Sequence, residues 1–259
     1  MIMEKGYRYV NLPELEKLPT RKRIVVFSGA GISVESGVAS FRDKDGLWQK
    51  FDWRKLASAE GFSKDPQGVL DFYNLRRKQM LEIEPNHAHR LLAELEKWHD
   101  VTIITQNVDN LHERAGSSDV LHLHGELTKV TSSACMNDAG CIKELPLDVP
   151  INIGDKAADG SQLRPYIVWF GEPVDGIEKA VKTVMEADVF LVIGTSLTVQ
   201  PAASLVMYAN PGARRFIINP GEDDGIRNNT SFGGYTYIKE NATTGMETFV
   251  DALIEIDRE

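Results

Sequence analysis

Several stretches of this chain carry residue types at spacings that could do chemistry. In Val25-Val26-Phe27-Ser28-Gly29-Ala30-Gly31-Ile32-Ser33 an apolar run meets two glycines, where backbone can turn tightly and approach a ligand with no Cβ in the way. Backbone N–H groups in such a turn, with a helix start behind them, form an anion site without a lysine, although a plain strand-to-helix turn fits the same pattern. The glycines miss the dinucleotide fingerprint G-x-G-x-x-G, whose third glycine would fall at Val34, and this argues against a dehydrogenase. Directly past an apolar run at 101–105 come Gln106-Asn107-Val108-Asp109-Asn110-Leu111-His112, polar side chains at the place where open parallel sheets bind ligands. A helix N-terminus capped by Asn107 or Asp109 is the plainer reading and does not exclude function. The alternation over 120–127 sets His122 and His124 opposite Leu121 and Leu123. No third His or Cys stands at ligand spacing, so one histidine reads as a base facing a cleft and the other as packing. In a helix opening at Asp65-Pro66, the stripe Val69, Tyr73 and Met80 contains Arg76 at i+7. An inward guanidinium wants an anion; the alternative is that it snorkels to water.

Positioning these groups requires a scaffold, and the chain supplies alternating strand and helix signals. Strands are expected around 25–27, 101–105, 120–127, 167–170, 189–193, 215–218 and 235–238, and helices over about 65–82, 86–98, 175–187 and from near Pro201. Thr244-Gly245-Met246-Glu247 reads as a capping box opening a final helix with Met246, Phe249, Val250 and Leu253 inward. Residues 1–20 read as a surface lead-in with one helical turn near 12–18, and 36–48, with Phe41, Arg42 and Trp48, as a ligand-covering loop. Residues 131–162 look like an excursion from the main sheet. Counting elements gives an α/β fold with about six parallel strands, and polar or glycine residues follow four of them, at Gly29, Gln106, Gly194 and Asn219. That coincidence points to a nucleotide crevice along one sheet edge.

Bulk properties agree. The 259 residues, 42% hydrophobic and 26% charged, can bury a sizeable core as one domain or one with a small appended unit. The net charge of -9 argues against nucleic acid and suits basic, lysine-rich partners. No run approaches the ~20 apolar residues of a membrane span, and two cysteines cannot staple a fold of this size, so a cytoplasmic protein is expected.

Taken together, Gly29-Ala30-Gly31-Ile32-Ser33 with Phe41-Arg42, then Thr105-Gln106-Asn107-Val108-Asp109-Asn110-Leu111-His112, His124-Gly125, Arg164-Pro165 with Val168-Trp169-Phe170-Gly171, and Gly194-Thr195-Ser196 resemble the sirtuin family of NAD-dependent protein lysine deacylases. The likeness covers about 22–257. It implies a Rossmann-like large domain, here 20–46, 85–129 and 164–259, with helices on both faces of the parallel sheet, and a small domain from two insertions, 47–84 and 130–163. NAD would lie with its pyrophosphate over Gly29, Ala30, Gly31 and Ser33, alongside Phe41, Arg42 and Gln106. Gly194, Thr195, Ser196, Asn219 and Ala242 would line the adenosine side, and Asn107 and Asp109 the nicotinamide pocket. In the reaction the resemblance implies, the acyl oxygen of a modified lysine takes the place of nicotinamide on the ribose. His124 then acts as base on a ribose hydroxyl, and water releases lysine and O-acyl-ADP-ribose. Acylated proteins or peptides would add as an extended strand beside Val168, Trp169, Phe170 and Gly171, with the enzyme a monomer.

Two features depart from the commonest sirtuin pattern. The family usually holds a structural zinc on two C-x-x-C pairs, whereas this chain has only Cys135 and Cys141; no zinc is expected, and the insertion should be held by packing alone. Second, Phe72-Tyr73-Asn74-Leu75-Arg76 looks like the Tyr-x-x-Arg pair of class III sirtuins, which implies succinyl and malonyl groups as preferred substrates. An NAD hydrolase or ADP-ribosyltransferase using the same pocket, or an NAD-sensing module without turnover, remain the alternatives.

Overall fold

The computed structural model describes residues 10, 12–17, 21–38, 52–221 and 234–256. Among these, nine strands follow in chain order: β1 (Arg23–Ser28), β2 (Asp100–Thr105), β3 (Val120–His122), β4 (Gly125–Ser132), β5 (Lys143–Glu144), β6 (Leu163–Ile167), β7 (Val189–Ile193), β8 (Arg214–Ile218) and β9 (Tyr235–Ile238). The α-helices are α1 (Trp53–Leu56), α2 (Ala59–Lys64), α3 (Pro66–Gln79), α4 (His87–Leu95), α5 (Leu111–Ala115), α6 (Ile177–Met185) and α7 (Ala242–Ile256), and short 3-10 helices run over Leu12–Lys17, Ala30–Ser36 and Ala202–Tyr208.

Six strands form one parallel sheet in the order β3-β2-β1-β7-β8-β9. Its central strands are apolar on both sides, as a doubly covered parallel sheet demands. Ile24 and Val26 face α4 and α7, packing with Leu91, Leu95, Met246 and Phe249, while Val25 and Phe27 face α6 and the 202–208 turn, packing with Val184 and Leu205. The chain leaves β1 toward β2 on one side, and β7 pairs with β1 on the other. The strand order therefore reverses between β1 and β7, and a crevice opens at their carboxyl ends.

A second, antiparallel sheet of order β5-β4-β6 holds the excursion. Here the structure corrects three expectations. The alternating run 120–127 is two strands: Leu123 N donates to Thr105 O at 2.9 Å, closing the ladder of the main sheet, and the chain then kinks at Gly125, with φ 82. A Cβ there would sit 2.1 Å from Tyr166 O, so only glycine lets β4 cross to β6 this closely. The apolar run 167–170 is no strand of the main sheet, because β6 ends at Ile167 against Gly125 in the small sheet. Packing alone does not hold the insertion either. Arg77, fully buried, donates through Nη2 to the carbonyls of Leu145 (3.1 Å), Pro146 (2.7 Å) and Val149 (3.2 Å) and through Nη1 to that of Leu127, and Asn74 pairs with both backbone groups of Ile151 at 2.9 Å. Loop carbonyls that leave water need donors, and two side chains of α3 provide them.

Helix ends differ in detail from expectation. Asp65 caps α3, accepting from Gly68 N at 2.9 Å with Pro66 at the first position. The final helix opens at Ala242, before the expected capping box, because Glu35 supplies the cap from elsewhere: its carboxylate accepts from Thr243 N (3.0 Å) and Thr243 Oγ1 (2.7 Å). Glu247 is instead buried 3.3 Å from His87. The segments after Gly29 and after Pro201 are 3-10 turns rather than α-helices. Most of the covering loop expected at 36–48, with Phe41 and Arg42, lies outside the described residues.

Arg77→Met, which keeps the buried stem and removes the donors, should cost about 3 kcal/mol through stranded carbonyls and lower Tm by roughly 6–12 °C. Thermal and urea unfolding of the variant measure this; a near-wild-type midpoint would show that water replaces the guanidinium.

Candidate active site

At the reversal point the two glycine turns interlock. Gly29 N donates to Ile193 O (3.0 Å), Gly31 N to Gly194 O (2.7 Å) and Ile32 N to Gly29 O (3.1 Å). A Cβ on Gly31 would lie 2.7 Å from Gly194 Cα, and one on Gly194, at φ 63, would lie 2.3 Å from Ile32 N. The glycines thus allow two loops to touch backbone to backbone. This corrects the anion-nest reading in one respect: the N–H groups of Gly29, Gly31 and Ile32 are spent inside the protein.

Along the interlocked turns runs a cavity of about 480 Å³. One end is lined by Gly29, Ala30, Gly31, Gly194, Thr195, Ser196, Asn219 and Ala242, the middle by Gln106, Asn107 and His124, and the other end by Tyr73, Arg76, Val168, Trp169, Phe170 and Gly171. Ser33 and Asp109 stand behind this wall, both buried, with Ser33 Oγ donating to Asp109 Oδ2 at 3.1 Å. Sequence reading missed Ala57, Phe72, Val108, Leu127 and Ile167, which form the apolar lining of the inner end. They come from five elements or loops and share no local pattern. Glu35 was also missed; it faces the cavity while its carboxylate caps α7.

The middle of the cavity rests on a buried polar chain. Ser28 Oγ donates to Thr105 Oγ1 (2.9 Å) and meets His112 Nε2 (3.0 Å), and Thr105 Oγ1 accepts from Asn107 N (3.0 Å). The Asn107 amide then donates to Gly29 O and Ser33 Oγ, both at 3.2 Å, so its side chain is tied to the glycine turn. Gln106 Nε2 donates to Thr195 Oγ1 at 2.8 Å, crossing from the loop after β2 to the loop after β7. Burial pushes the Asp109 carboxyl above its ordinary range, opposed by bonds from Leu111 N and Ser33.

The two histidines of the motif are in different states. His124 Nδ1 lies 3.1 Å from Gln106 O, and a carbonyl only accepts, so Nδ1 carries the proton and Nε2 is left as acceptor. Burial pulls its pKa below the usual imidazole value, keeping the ring neutral near pH 7. His122 donates from Nδ1 to Asn107 O at 2.8 Å and meets Glu113 Oε1 through Nε2 at 2.7 Å. Burial disfavours its charge, but the Glu113 carboxylate outweighs burial and raises its pKa. His122 thus holds the backbone of Asn107, and His124 faces the cavity.

At the inner end, Tyr73 and Arg76 lie one turn apart on α3, 5% and 6% exposed. Burial lowers the Arg76 pKa, and the charge of Asp109 works against that. Trp169 Nε1 donates to Tyr73 OH at 3.1 Å. Along 168–170 the amides are engaged within the protein, Val168 N with His124 O (2.9 Å), Trp169 N with Glu172 Oε2 (2.8 Å) and Phe170 N with Ala57 O (2.9 Å). A strand laid here would find these three amides already used, and the Trp169 carbonyl also accepts from Glu172 N at 3.0 Å. Cys135 is exposed and Cys141 buried, and among the described residues no group of three or more His, Cys, Asp or Glu is placed to hold a metal ion.

The His122–Glu113 pair sets a pH window. A raised histidine pKa contributes stability that is full below about 6.5 and lost as pH rises through the folded value, and a lowered glutamate pKa contributes stability that is lost as pH falls below about 4.3. Glu113→Gln should therefore destabilise by about 1 kcal/mol near pH 6, its exposed carboxylate being screened by solvent, and by less at pH 8. Urea unfolding at both values checks the sign, and a larger effect at pH 8 would contradict it.

Residues 29–201, which include both glycine turns and the polar loop between them, match the family model described as "Sir2 family". The chain is similar to an NAD-dependent protein deacylase of Bacteroides thetaiotaomicron, 53% identical over 234 residues that cover 90% of this chain and 98% of the relative. Among solved structures it is similar to a Sir2 homologue mutant in complex with ADP ribose, with TM-score 0.79, 35% identity and 98% of each chain covered. It is likewise similar to a Sir2 homolog–NAD complex, with TM-score 0.77, 37% identity and 95% and 93% covered. Alike in sequence across the crevice and in fold over nearly its whole length, the chain belongs to the Sir2 family.

Proposed function

We propose that this Sir2-family protein is an NAD-dependent protein-lysine deacylase that prefers acyl groups ending in a carboxylate, succinyl and malonyl above acetyl. The observation that carries the preference is a buried guanidinium, Arg76, beside the Tyr73 hydroxyl at the inner end of the same cavity that His124 faces. Burial makes that cation costly, the charge of Asp109 opposes the cost, and a bidentate anion on the planar guanidinium would offset it further.

The donor set fits a dinucleotide. The amides and hydroxyls of Gln106, Asn107, Thr195, Ser196 and Asn219 suit ribose, phosphate and carboxamide, and the Cβ-free contact of Gly31 with Gly194 keeps the cradle narrow. Gly29, Ala30, Gly31 and Ser33 would follow the pyrophosphate, Gly194, Thr195, Ser196, Asn219 and Ala242 the adenosine side, and Asn107 and Asp109 the nicotinamide ring. When bound, NAD supplies a sugar carbon that gives up nicotinamide and accepts the acyl oxygen.

The protein's own work is then to orient and to move one proton. Asn107, tied to Gly29 O and Ser33 Oγ, fixes the polar wall. His124, neutral with its Nε2 lone pair available, takes the proton from a ribose hydroxyl; Gln106 O, which accepts from Nδ1–H, steadies the cation formed. Tyr73 and Arg76 hold the far end of the acyl chain, and an acylated peptide lies across Val168 to Gly171.

Mass spectrometry of acetyl-, succinyl- and malonyl-lysine peptides, with and without NAD, tests the reading. NAD-dependent loss of succinyl should be fastest, and Arg76→Met should cut desuccinylation roughly 10- to 100-fold more than deacetylation; an equal loss of both would remove the role given to Arg76. The acid limb of kcat/KM should fall below pH 6.5 with a plateau through pH 8, since only neutral His124 is competent. His124→Ala should lose about 10²- to 10⁴-fold in rate, and a variant that keeps its rate would exclude the imidazole as base.

A further inference from the structure

The hydrogen bond between Trp169 and Tyr73 has its direction fixed by chemistry. An indole nitrogen can only donate, so at 3.1 Å the Trp169 Nε1–H gives its proton to the phenol oxygen. The phenol proton cannot then point at Trp169 and must be used elsewhere, and Tyr73 lines the cavity beside Arg76. Burial pushes the Tyr73 pKa up to about 12, so this group remains a donor throughout the neutral range.

The indole is itself immobile. Trp169 is 2% exposed, and Arg164 Cζ stands 3.4 Å from its ring centroid. Arg164, also 2% exposed, forks onto Glu172 at 2.7 and 2.9 Å, and Glu172 in turn accepts from Trp169 N. Phe62 packs against the indole with centroids 5.1 Å apart. A buried ion pair, an aromatic neighbour and a backbone bond therefore hold one ring in one rotamer.

We propose that Trp169 is a positioning residue for acyl selection: by occupying the Tyr73 oxygen as donor it commits the Tyr73 O–H to the inner end of the cavity. Tyr73 and Arg76 then offer donors side by side, which take an acceptor-only carboxylate in preference to a methyl group or to an amide carrying N–H of its own. The inference rests on the acyl preference proposed above and extends it to a residue that reaches the acyl group only through Tyr73.

Wild-type protein labelled with 15N at tryptophan supplies a readout with no folding risk. A carboxylate accepting from Tyr73 polarises the phenol and strengthens its oxygen as acceptor. The Trp169 Hε1 resonance should therefore move downfield with a succinyl-lysine peptide and hardly at all with an acetyl-lysine peptide of the same sequence. The chain has four tryptophans, so variants at Trp48, Trp53 and Trp98 assign the signal by elimination. Trp169→Phe should lower the succinyl-to-acetyl ratio of kcat/KM roughly tenfold. Tyr73→Phe should do the same, and the double variant should lose no more than either alone. Equal movement of the indole with both peptides, or additive losses, would overturn the positioning role while leaving succinyl preference standing. A wild-type enzyme with no succinyl preference would overturn both.

Discussion

The structure depends on one close approach. Where strand order reverses, between β1 and β7, two loops meet backbone to backbone through Gly31 and Gly194, and no side chain larger than hydrogen fits between them. Everything polar in the crevice is measured from that contact. Asn107 is anchored on Gly29 O, Gln106 bridges to Thr195, and the parallel register brings Ser28, Thr105, His122 and Ile193 to one level. Opening the contact by one methyl group would displace groups contributed by three strands.

Around it, polar groups are buried in chains rather than singly. Ser28, Thr105 and Asn107 pass hydrogen bonds along the ends of two strands, and His122 grips the Asn107 carbonyl from the next. Two histidines two residues apart reach opposite protonation preferences because one meets a carboxylate and the other only a carbonyl. The small sheet follows the same logic: Arg77 and Asn74 satisfy loop carbonyls from the same turn of the helix that presents Tyr73 and Arg76 to the cavity. The Tyr73–Arg76 end of the cavity and the anchorage of the insertion are thus adjacent faces of α3.

Much of this was legible from local chemistry. Apolar runs ending in glycine or amide residues marked β1, β2, β7 and β8 and their carboxyl ends, whereas the stripe containing Arg76 left an inward and a snorkelling guanidinium both open, and the fold buries it. What escaped was non-local. The split at Gly125 depends on Tyr166 approaching from 41 residues away, and nothing in an alternating pattern signals a strand that changes sheets. The cap of α7 comes from Glu35, over 200 residues earlier, so the nearby capping-box pattern misled. Arg77 sits next to Arg76, yet one faces loop carbonyls and the other the cavity; periodicity separates them by about 100° and cannot say what each will meet.

The stretch 168–170 has its amide protons turned toward its own fold. A chain lying across it in an extended form finds no free amide among these three, so any backbone pairing there would draw on the N–H groups of that chain. If an acylated peptide docks there, as proposed, recognition would be indifferent to most side chains yet unfriendly to imino acids, because a proline beside the modified lysine has no N–H to give. In that case, target choice would follow where a client protein has loose, proline-poor backbone to lend, more than any consensus of letters.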